Sequence, residues 1–257
     1  MNNNLRKGLC LTFLFLWTLA ASAQIGLEDY YHYHLSSKYP AARAFIERPV
    51  IDIGFRDDFC TKEIMTKHIG FSYFRNSDIL LADLSHCGYS KYGVLKMGLG
   101  YSRLFSKKLS IALCGIYLLN HAEHYENLHS FTIDFSACYR ISSKFSLSID
   151  LYNPIRMRYG ITGNDIIPMS FALQATYHPS NKLLGYLYCT KHLPGELDIG
   201  LGLYYQPIKQ CIIQGDCSIQ KCGLCIHIPW KRLLFCIRAD WYYRISLSTE
   251  GNIYFTI

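Results

Sequence analysis

The stretch from Lys107 to Asn153, KKLSIALCGIYLLNHAEHYENLHSFTIDFSACYRISSKFSLSIDLYN, decides the fold. Its odd positions run Leu109, Ile111, Leu113, Gly115, Tyr117, Leu119, then Phe131, Ile133, Phe135, Ala137, Tyr139, Ile141, then Phe145, Leu147, Ile149, Leu151. Between them stand Ser110, Asn120, Ser130, Thr132, Asp134, Ser136, Arg140, Lys144, Ser146, Ser148 and Asp150. A period of two held over three segments is the β period and not the roughly 3.6-residue period of a helix. One face is apolar and the other carries hydroxyls and ionised groups. A soluble sandwich alternates in the same way, so segment length and the chain ends must choose between them.

Outward from this stretch, candidate strands cover 48–57, 66–75, 79–87, 93–104, 107–121, 128–141, 143–153, 169–178, 182–190, 196–205, 208–217, 219–228, 233–242 and 245–257. They number fourteen, or twelve without the first two, which alternate least regularly. A tilted membrane-spanning strand needs about 9–11 residues, whereas strands of globular proteins have about 5–6. These segments have the longer length. The links alternate too. Short ones fall at Arg75–Asp78, Phe105–Ser106, Ser142, Pro179–Asn181, Gln206–Pro207 and Pro229–Arg232, and longer ones at Ala122–Asn127 and Pro154–Pro168. Outer-membrane barrels combine an even strand count with short periplasmic turns and longer external loops. The expected fold is all-β: a closed antiparallel transmembrane barrel over residues 48–257.

The first residues fit this location. Met1 to Ala23 reads as a secretory leader, with Arg6 and Lys7 as the basic start, Leu9–Ala20 as the apolar core, and Ala21-Ser22-Ala23 as the cleavage site ahead of Gln24. The apolar run is shorter than the roughly 20 residues of a spanning helix. Gln24 to Glu47 lacks strand alternation. Pro40 followed by Ala41-Ala42-Arg43-Ala44 suits a short helix, and the segment is expected to tuck into the lumen as a plug. His32-x-His34 within it is read as packing against an inner wall, because no further ligands stand at zinc-like spacing.

Tyrosine is abundant, with 21 residues, and suits a boundary between oil and water. Tyr101, Tyr139, Tyr177 and Tyr205 fall on the expected outer face just before proposed periplasmic turns, and Trp241 falls at the opposite rim. Together they are candidates for a membrane girdle. The other face brings charges inward: Asp134, Arg140, Lys144, Asp150, Asp198, Arg238, Asp240 and Arg244. They either interlock to fill the lumen or line a passage. The formal charge is +7, with Arg6 and Lys7 in the leader, and no compact basic run suggests nucleic acid.

The closing Ile253-Tyr254-Phe255-Thr256-Ile257 resembles the C-terminal assembly signal of outer-membrane barrels. The exported N-terminus, Pro40–Ala44, the strand Gly98-Leu99-Gly100-Tyr101-Ser102-Arg103-Leu104-Phe105, and the Leu151-Tyr152-Asn153-Pro154 strand end followed by a loop ending in Pro168 together resemble an established family. The family is the fourteen-stranded outer-membrane barrels of the long-chain fatty-acid transporter superfamily, which includes a barrel component of the type IX secretion system. The resemblance implies a luminal plug from the N-terminus and a hydrophobic ligand or secretion partner engaging the barrel.

Among the 11 cysteines, Cys10 lies in the leader. The rest are scattered through strands and read mainly as small wall residues, with one or two pairs expected. Cys217-x4-Cys222-x2-Cys225 matches part of an iron–sulfur spacing, but alternation sets Cys222 and Cys225 on opposite faces of one strand, so no cofactor is expected. His121, His124, His129 and Ser130 surround one external loop and raise the alternative of a rim hydrolase.

The residues thus point to an outer-membrane barrel, surrounded by lipid and inserted by barrel-assembly machinery, that passes or binds a hydrophobic or small solute. A non-transporting scaffold or secretion accessory is the second reading, and the hydrolase the third.

Overall fold

The structure is a computed structural model and describes residues 27–46, 48–159 and 166–257. The leader, the Ala23–Gln24 cleavage site and the first residues of the N-terminal segment lie outside the described residues. The rest forms a closed barrel of fourteen antiparallel strands in sequence order. They are β1 (Val50–Asp57), β2 (Thr66–Arg75), β3 (Asp78–Gly88), β4 (Tyr92–Phe105), β5 (Leu109–Ala122), β6 (Leu128–Arg140) and β7 (Phe145–Tyr152). Then follow β8 (Met169–Ser180), β9 (Leu183–Leu193), β10 (Leu197–Ile208), β11 (Cys211–Ser218), β12 (Lys221–Trp230), β13 (Leu233–Tyr242) and β14 (Leu247–Thr256).

The sheet closes between its ends. β1 pairs with β14 from Val50↔Thr256 to Asp57↔Thr249, and with β2 on its other side. The two least regular segments are therefore full members of the wall, and the twelve-strand alternative is set aside. Strand ends shift by a few residues at most. The largest shifts, of three residues, are at the ends of β9 and β10 and the start of β11; β10 runs on through Pro207 to Ile208 and takes up the extra residues as an irregularity between Tyr205 and Ile208. An even strand count returns the chain to its starting rim, where Ile257 N–H donates to Pro49 O at 3.1 Å. The turns after β2, β4, β8, β10 and β12, of two or three residues, share that rim, and the links after β3, β9 and β11 at the opposite rim are equally short. At β4–β5, Ser106 and Lys107 both take positive φ (49° and 57°), the left-handed pair that lets two strands reverse without splaying.

Alternation sorts the wall into two surfaces. Outward positions are apolar and uncovered: Leu99, Leu201 and Ile237 are 73%, 64% and 67% exposed. A continuous belt of this kind is unsuited to water and matches the outer surface of a membrane barrel. No helix among the described residues is long and apolar enough to cross a membrane.

The inner face holds the core, and the N-terminal segment supplies much of it. Helix α1 (Leu27–Lys38) presents Leu27, Tyr31 and Leu35 at four-residue spacing, so one stripe is apolar, and all three are buried. A 3-10 turn over Pro40–Phe45 follows, with Pro40 opening it. Ala41, Ala42 and Ala44 are fully buried, because small side chains let the turn lie close against β4, β5 and β6. The inner face of β5 departs from the polar expectation: Ala112, Cys114, Ile116 and Leu118 are buried and apolar. Ala112 belongs to the same cluster as α1 and the turn, Cys114 packs with Ala44, and Ile116 and Leu118 pack with Ile167 from the β7–β8 loop.

Leu201→Arg, which puts a charge near the middle of the outer belt, is expected to lower unfolding free energy in phospholipid vesicles by about 2–4 kcal/mol. Urea titration read by the gel mobility of folded and unfolded barrel measures this. Equal stability of the variant would show that the belt does not face hydrocarbon.

Candidate functional site in the barrel lumen

The lumen is built from three layers along the barrel axis. At the turn rim, Arg140 Nη2 lies 2.9 Å from His32 Nε2, and its guanidinium stands 4.1 Å over the Phe45 ring. Guanidinium only donates, so His32 accepts there. Stacking on an aromatic face suits a planar, weakly hydrated cation.

In the middle, α1 is fastened to β8 and the 3-10 turn to β1 and β6. Tyr31 Oη is hydrogen-bonded to Thr176 Oγ1 and accepts from Gln174 Nε2 at 3.1 Å. Burial drives the Tyr31 phenol pKa up, so the group stays protonated. Ala41 N–H donates to Ser136 Oγ at 2.7 Å. Arg43 Nη2 donates to Asp52 Oδ2 at 2.7 Å, with both side chains largely buried. Gly70 makes room for this pair: a Cβ there would sit 2.4 Å from Asp52 Oδ2.

On the loop side of the turn lies a cavity of about 250 Å³. Its floor includes Ser36, Lys38, Pro40 and Arg43, and its walls carry Asp52, His68, Asp83, Lys96 and Asp134. Gly98 accommodates Asp83 as Gly70 accommodates Asp52, since a Cβ on Gly98 would lie 2.1 Å from Asp83 Oδ2. Outside the same wall runs an apolar groove of about 770 Å³, shaped by Phe71, Ala82, Leu84, Leu99, Tyr117 and Phe131. Gly70, Asp83 and Gly98 are register partners across β2, β3 and β4. Groove and cavity both touch Gly70 and Asp83, so one thickness of backbone separates them.

The expected lumen residues fall into separate groups. Arg238 donates to Asp216 at 2.7 and 2.9 Å and lies 2.8 Å from Asp240, which also holds Lys221 at 2.9 Å. This network is buried on β11–β13, where breaking any one partner would strand a charge. Asp134 and Asp150 face inward on β6 and β7, Asp134 at the cavity, and Asp198 is half-buried near the loop rim. Lys144 is not on the inner wall. The β6–β7 link takes four residues, Ile141 to Lys144, with Ser142 Oγ accepting from the Lys144 and Phe145 amides, so Lys144 is an exposed turn residue. Arg244 also lies outside the wall, exposed in the β13–β14 loop at 3.6 Å from Glu196.

Tyr101, Tyr139, Tyr177, Tyr205 and Trp241 all stand exposed on the outer face. Tyr139, Tyr177 and Tyr205 lie opposite Leu109, Phe145 and Leu183, the first residues of neighbouring strands at the turn rim. Tyr101 is set deeper, opposite Leu113. Trp241 pairs with Leu247 at the loop rim.

The rim histidines do not converge on Ser130. Ser130 points inward and is buried, whereas His129 points outward, 2.5 Å from Tyr117 Oη, and His121 Nδ1 lies 2.9 Å from Asn127 Oδ1. Cys217 and Cys222 face each other across β11 and β12 and form a disulfide on the outer face, while Cys225 lies inside. The partial iron–sulfur spacing is thereby divided between two surfaces.

Sequence reading passed over Arg43 with Asp52, Asp83 with Lys96, and Cys225 with His227 and Cys236. For the strand residues among them, all but Arg43 of the 3-10 turn, parity within the strand was available as a signal. The cross-strand register and the return of the N-terminal segment into the barrel, which bring them together, were not.

No protein-family model and no curated protein matches the chain. Solved structures of other proteins share the fold. The CymD monoaromatic hydrocarbon channel aligns with a TM-score of 0.65 and 8% identity, over 85% of this chain and 91% of that one. The Ralstonia pickettii toluene transporter TbuX aligns with a TM-score of 0.63 and 8% identity, over 86% and 91%. The P. putida toluene transporter TodX gives 0.61 and 8%, over 84% and 90%. Likeness at this identity speaks for the fold.

Arg43→Ala leaves the Asp52 carboxylate buried without its guanidinium, a loss of about 3–5 kcal/mol. Hydrogen exchange of amides in Leu27–Phe45 is expected to accelerate roughly a hundredfold or more, while Arg244→Ala leaves it unchanged. Unaltered exchange in Arg43→Ala would show that this pair does not hold the segment.

Proposed function

We propose that this protein is an outer-membrane barrel that passes a small, mainly apolar solute, with its lumen closed to ions by Leu27–Phe45. The observation carrying this reading is the back-to-back arrangement of the luminal cavity and the apolar groove across the β2–β4 wall. A solute held in the cavity is one backbone thickness from an apolar surface that can receive it. The floor of the cavity is the N-terminal segment, which blocks straight passage and favours sideways exit.

The shared fold with hydrocarbon channels supports this reading, and so does the apolar outer belt. A remote relation to the long-chain fatty-acid transporter barrels is part of it, as are removal of a leader at Ala23–Gln24, insertion by the barrel-assembly machinery and a girdle of Tyr101, Tyr139, Tyr177, Tyr205 and Trp241. The inward charges act mainly as lumen packing, with Asp134 the one that borders the cavity. The filled lumen also suits the second reading, a scaffold or secretion accessory that transports nothing. Ser130 faces the lumen and His129 the outer surface, which speaks against pairing these two in the hydrolase reading.

Ala82 is a small residue on the outer side of the shared wall. Ala82→Trp fills the groove from the lipid side and leaves the lumen untouched. Uptake of a radiolabelled monoaromatic hydrocarbon by cells expressing the protein is expected to fall to the level of cells lacking it. Leu201→Trp, on the distant β10 wall, serves as the control and keeps full uptake. Equal uptake with and without the wild-type protein would move the assignment to the scaffold.

A further inference from the structure

Beneath α1, away from the solute cavity, three metal-binding side chains meet. Cys225 and His227 are two residues apart on β12 and so share its inner face, and register places Cys236 of β13 directly opposite His227. Cys225 Sγ lies 3.1 Å from Cys236 Sγ, and Cys236 Sγ lies 3.1 Å from His227 Nδ1. All three donor atoms fall within 4.8 Å of one another. The residues are 0%, 1% and 4% exposed.

A neighbouring amide fixes which imidazole nitrogen faces the thiols. Gln214 Nε2 donates to Tyr186 Oη at 2.9 Å and approaches Asp216 Oδ1 at 3.5 Å, which turns the Gln214 oxygen towards His227. His227 Nε2 lies 3.2 Å from that oxygen and donates to it. Nε2 therefore carries a proton, and Nδ1 is the ring nitrogen turned towards the sulfurs. Holding one imidazole nitrogen with an oxygen acceptor so that the other can ligate is the usual outer-shell device of metal sites. The Tyr204 ring packs 5.9 Å from the His227 ring, and Tyr31 of α1 meets Tyr204 edge-on at 5.8 Å. The pocket is thereby closed over by aromatic groups.

We propose that Cys225, His227 and Cys236 form a buried site for a soft monovalent cation, Cu(I), in preference to Zn(II). Metal bonds of about 2.3 Å to sulfur and about 2.0 Å to nitrogen require donor atoms roughly 3.5–4 Å apart, which small side-chain rotations from the present spacings provide. Thiolates select soft ions. Among the described residues the cluster offers three such donors and no carboxylate. A three-donor set suits Cu(I), whereas structural Zn(II) sites take four ligands. Loading is ligand exchange without redox change. Two S–Cu bonds and one N–Cu bond form, the two thiol protons leave to solvent, and copper stays Cu(I). The bound ion would tie β12 to β13 under the N-terminal segment.

The test uses the whole mature chain, folded in detergent, reduced and free of oxygen. It carries Cys217→Ser and Cys222→Ser so that the outer-face pair contributes nothing. Cu(I) is titrated against bathocuproine disulfonate and Zn(II) against a colorimetric chelator, with heat-modifiable gel mobility confirming the barrel throughout. One Cu(I) per chain is expected to resist the chelator, with X-ray absorption reporting two sulfur and one nitrogen neighbours. Cys225→Ser or Cys236→Ser should abolish retention. Gln214→Leu, which keeps all three ligands, should weaken retention about 10–100-fold. Four results would overturn the assignment: no Cu(I) retained by the folded, reduced chain; retention unaffected by either cysteine change; Zn(II) held more tightly than Cu(I); or a Cys225–Cys236 cross-link in peptide maps that persists under the reducing conditions.

Discussion

The pairing of β1 with β14 is the constraint on which the other features rest. An open sheet of this length would present two rows of unpaired backbone amides and carbonyls, which hydrocarbon cannot satisfy. Closure through the eight register pairs from Val50↔Thr256 to Asp57↔Thr249 removes both edges. Once the wall is closed, a period of two has only two destinations. Odd-numbered residues of β4, β5 and β6 go to the outside and even-numbered ones to the lumen, and a slip of one residue would exchange the two sets.

The lumen of a fourteen-stranded wall is too wide for its own side chains to fill, and much of this one is occupied by chain. That explains why the inner wall is not uniformly polar. Where α1, the 3-10 turn and Ile167 approach, the wall offers Ala112, Cys114, Ile116 and Leu118. Where the wall faces open space or itself, it offers charges, and Arg238, Asp216, Asp240 and Lys221 among them join opposite charges within about hydrogen-bond length. The N-terminal segment is held by a few strong polar contacts, Arg43 with Asp52 and Tyr31 with Thr176 and Gln174, on an alanine-rich surface that fits closely. The N-terminal segment inside the lumen and an apolar groove on the far side of a wall that carries Gly70 and Gly98 are the geometry on which the proposed solute-passing role rests.

The wall was legible in the chain because alternation is a local property. Leu109–Ala122 and Leu128–Arg140 could be assigned residue by residue, and the faces of Asp134, Arg238 and Trp241 followed from parity. Lys144 was misplaced because the sequence reading sets the link at Ser142 alone and resumes the strand at 143, whereas the turn takes all of Ile141 to Lys144 and Ser143 alternates as well in a turn as in a strand. The site was much less legible. Arg43 meets Asp52 only because the chain doubles back into the barrel, and Cys236 meets His227 only through a register set by the turn at Lys231 and Arg232. Helix α1 was also hidden. Tyr30-Tyr31-His32-Tyr33-His34 reads as neither strand nor helix until the four-residue spacing of Leu27, Tyr31 and Leu35 is set against the inner wall.

The central claim is that the N-terminal segment closes the lumen. Single-channel recording in planar bilayers tests it most directly, comparing the chain from Gln24 onward with the same chain lacking Gln24–Glu47, both confirmed as folded barrels by heat-modifiable mobility. The account predicts no stepwise ionic current from the longer chain and clear steps from the shortened one. Steps of equal size from both would contradict it, because ions would then be passing a lumen that Leu27–Phe45 does not close.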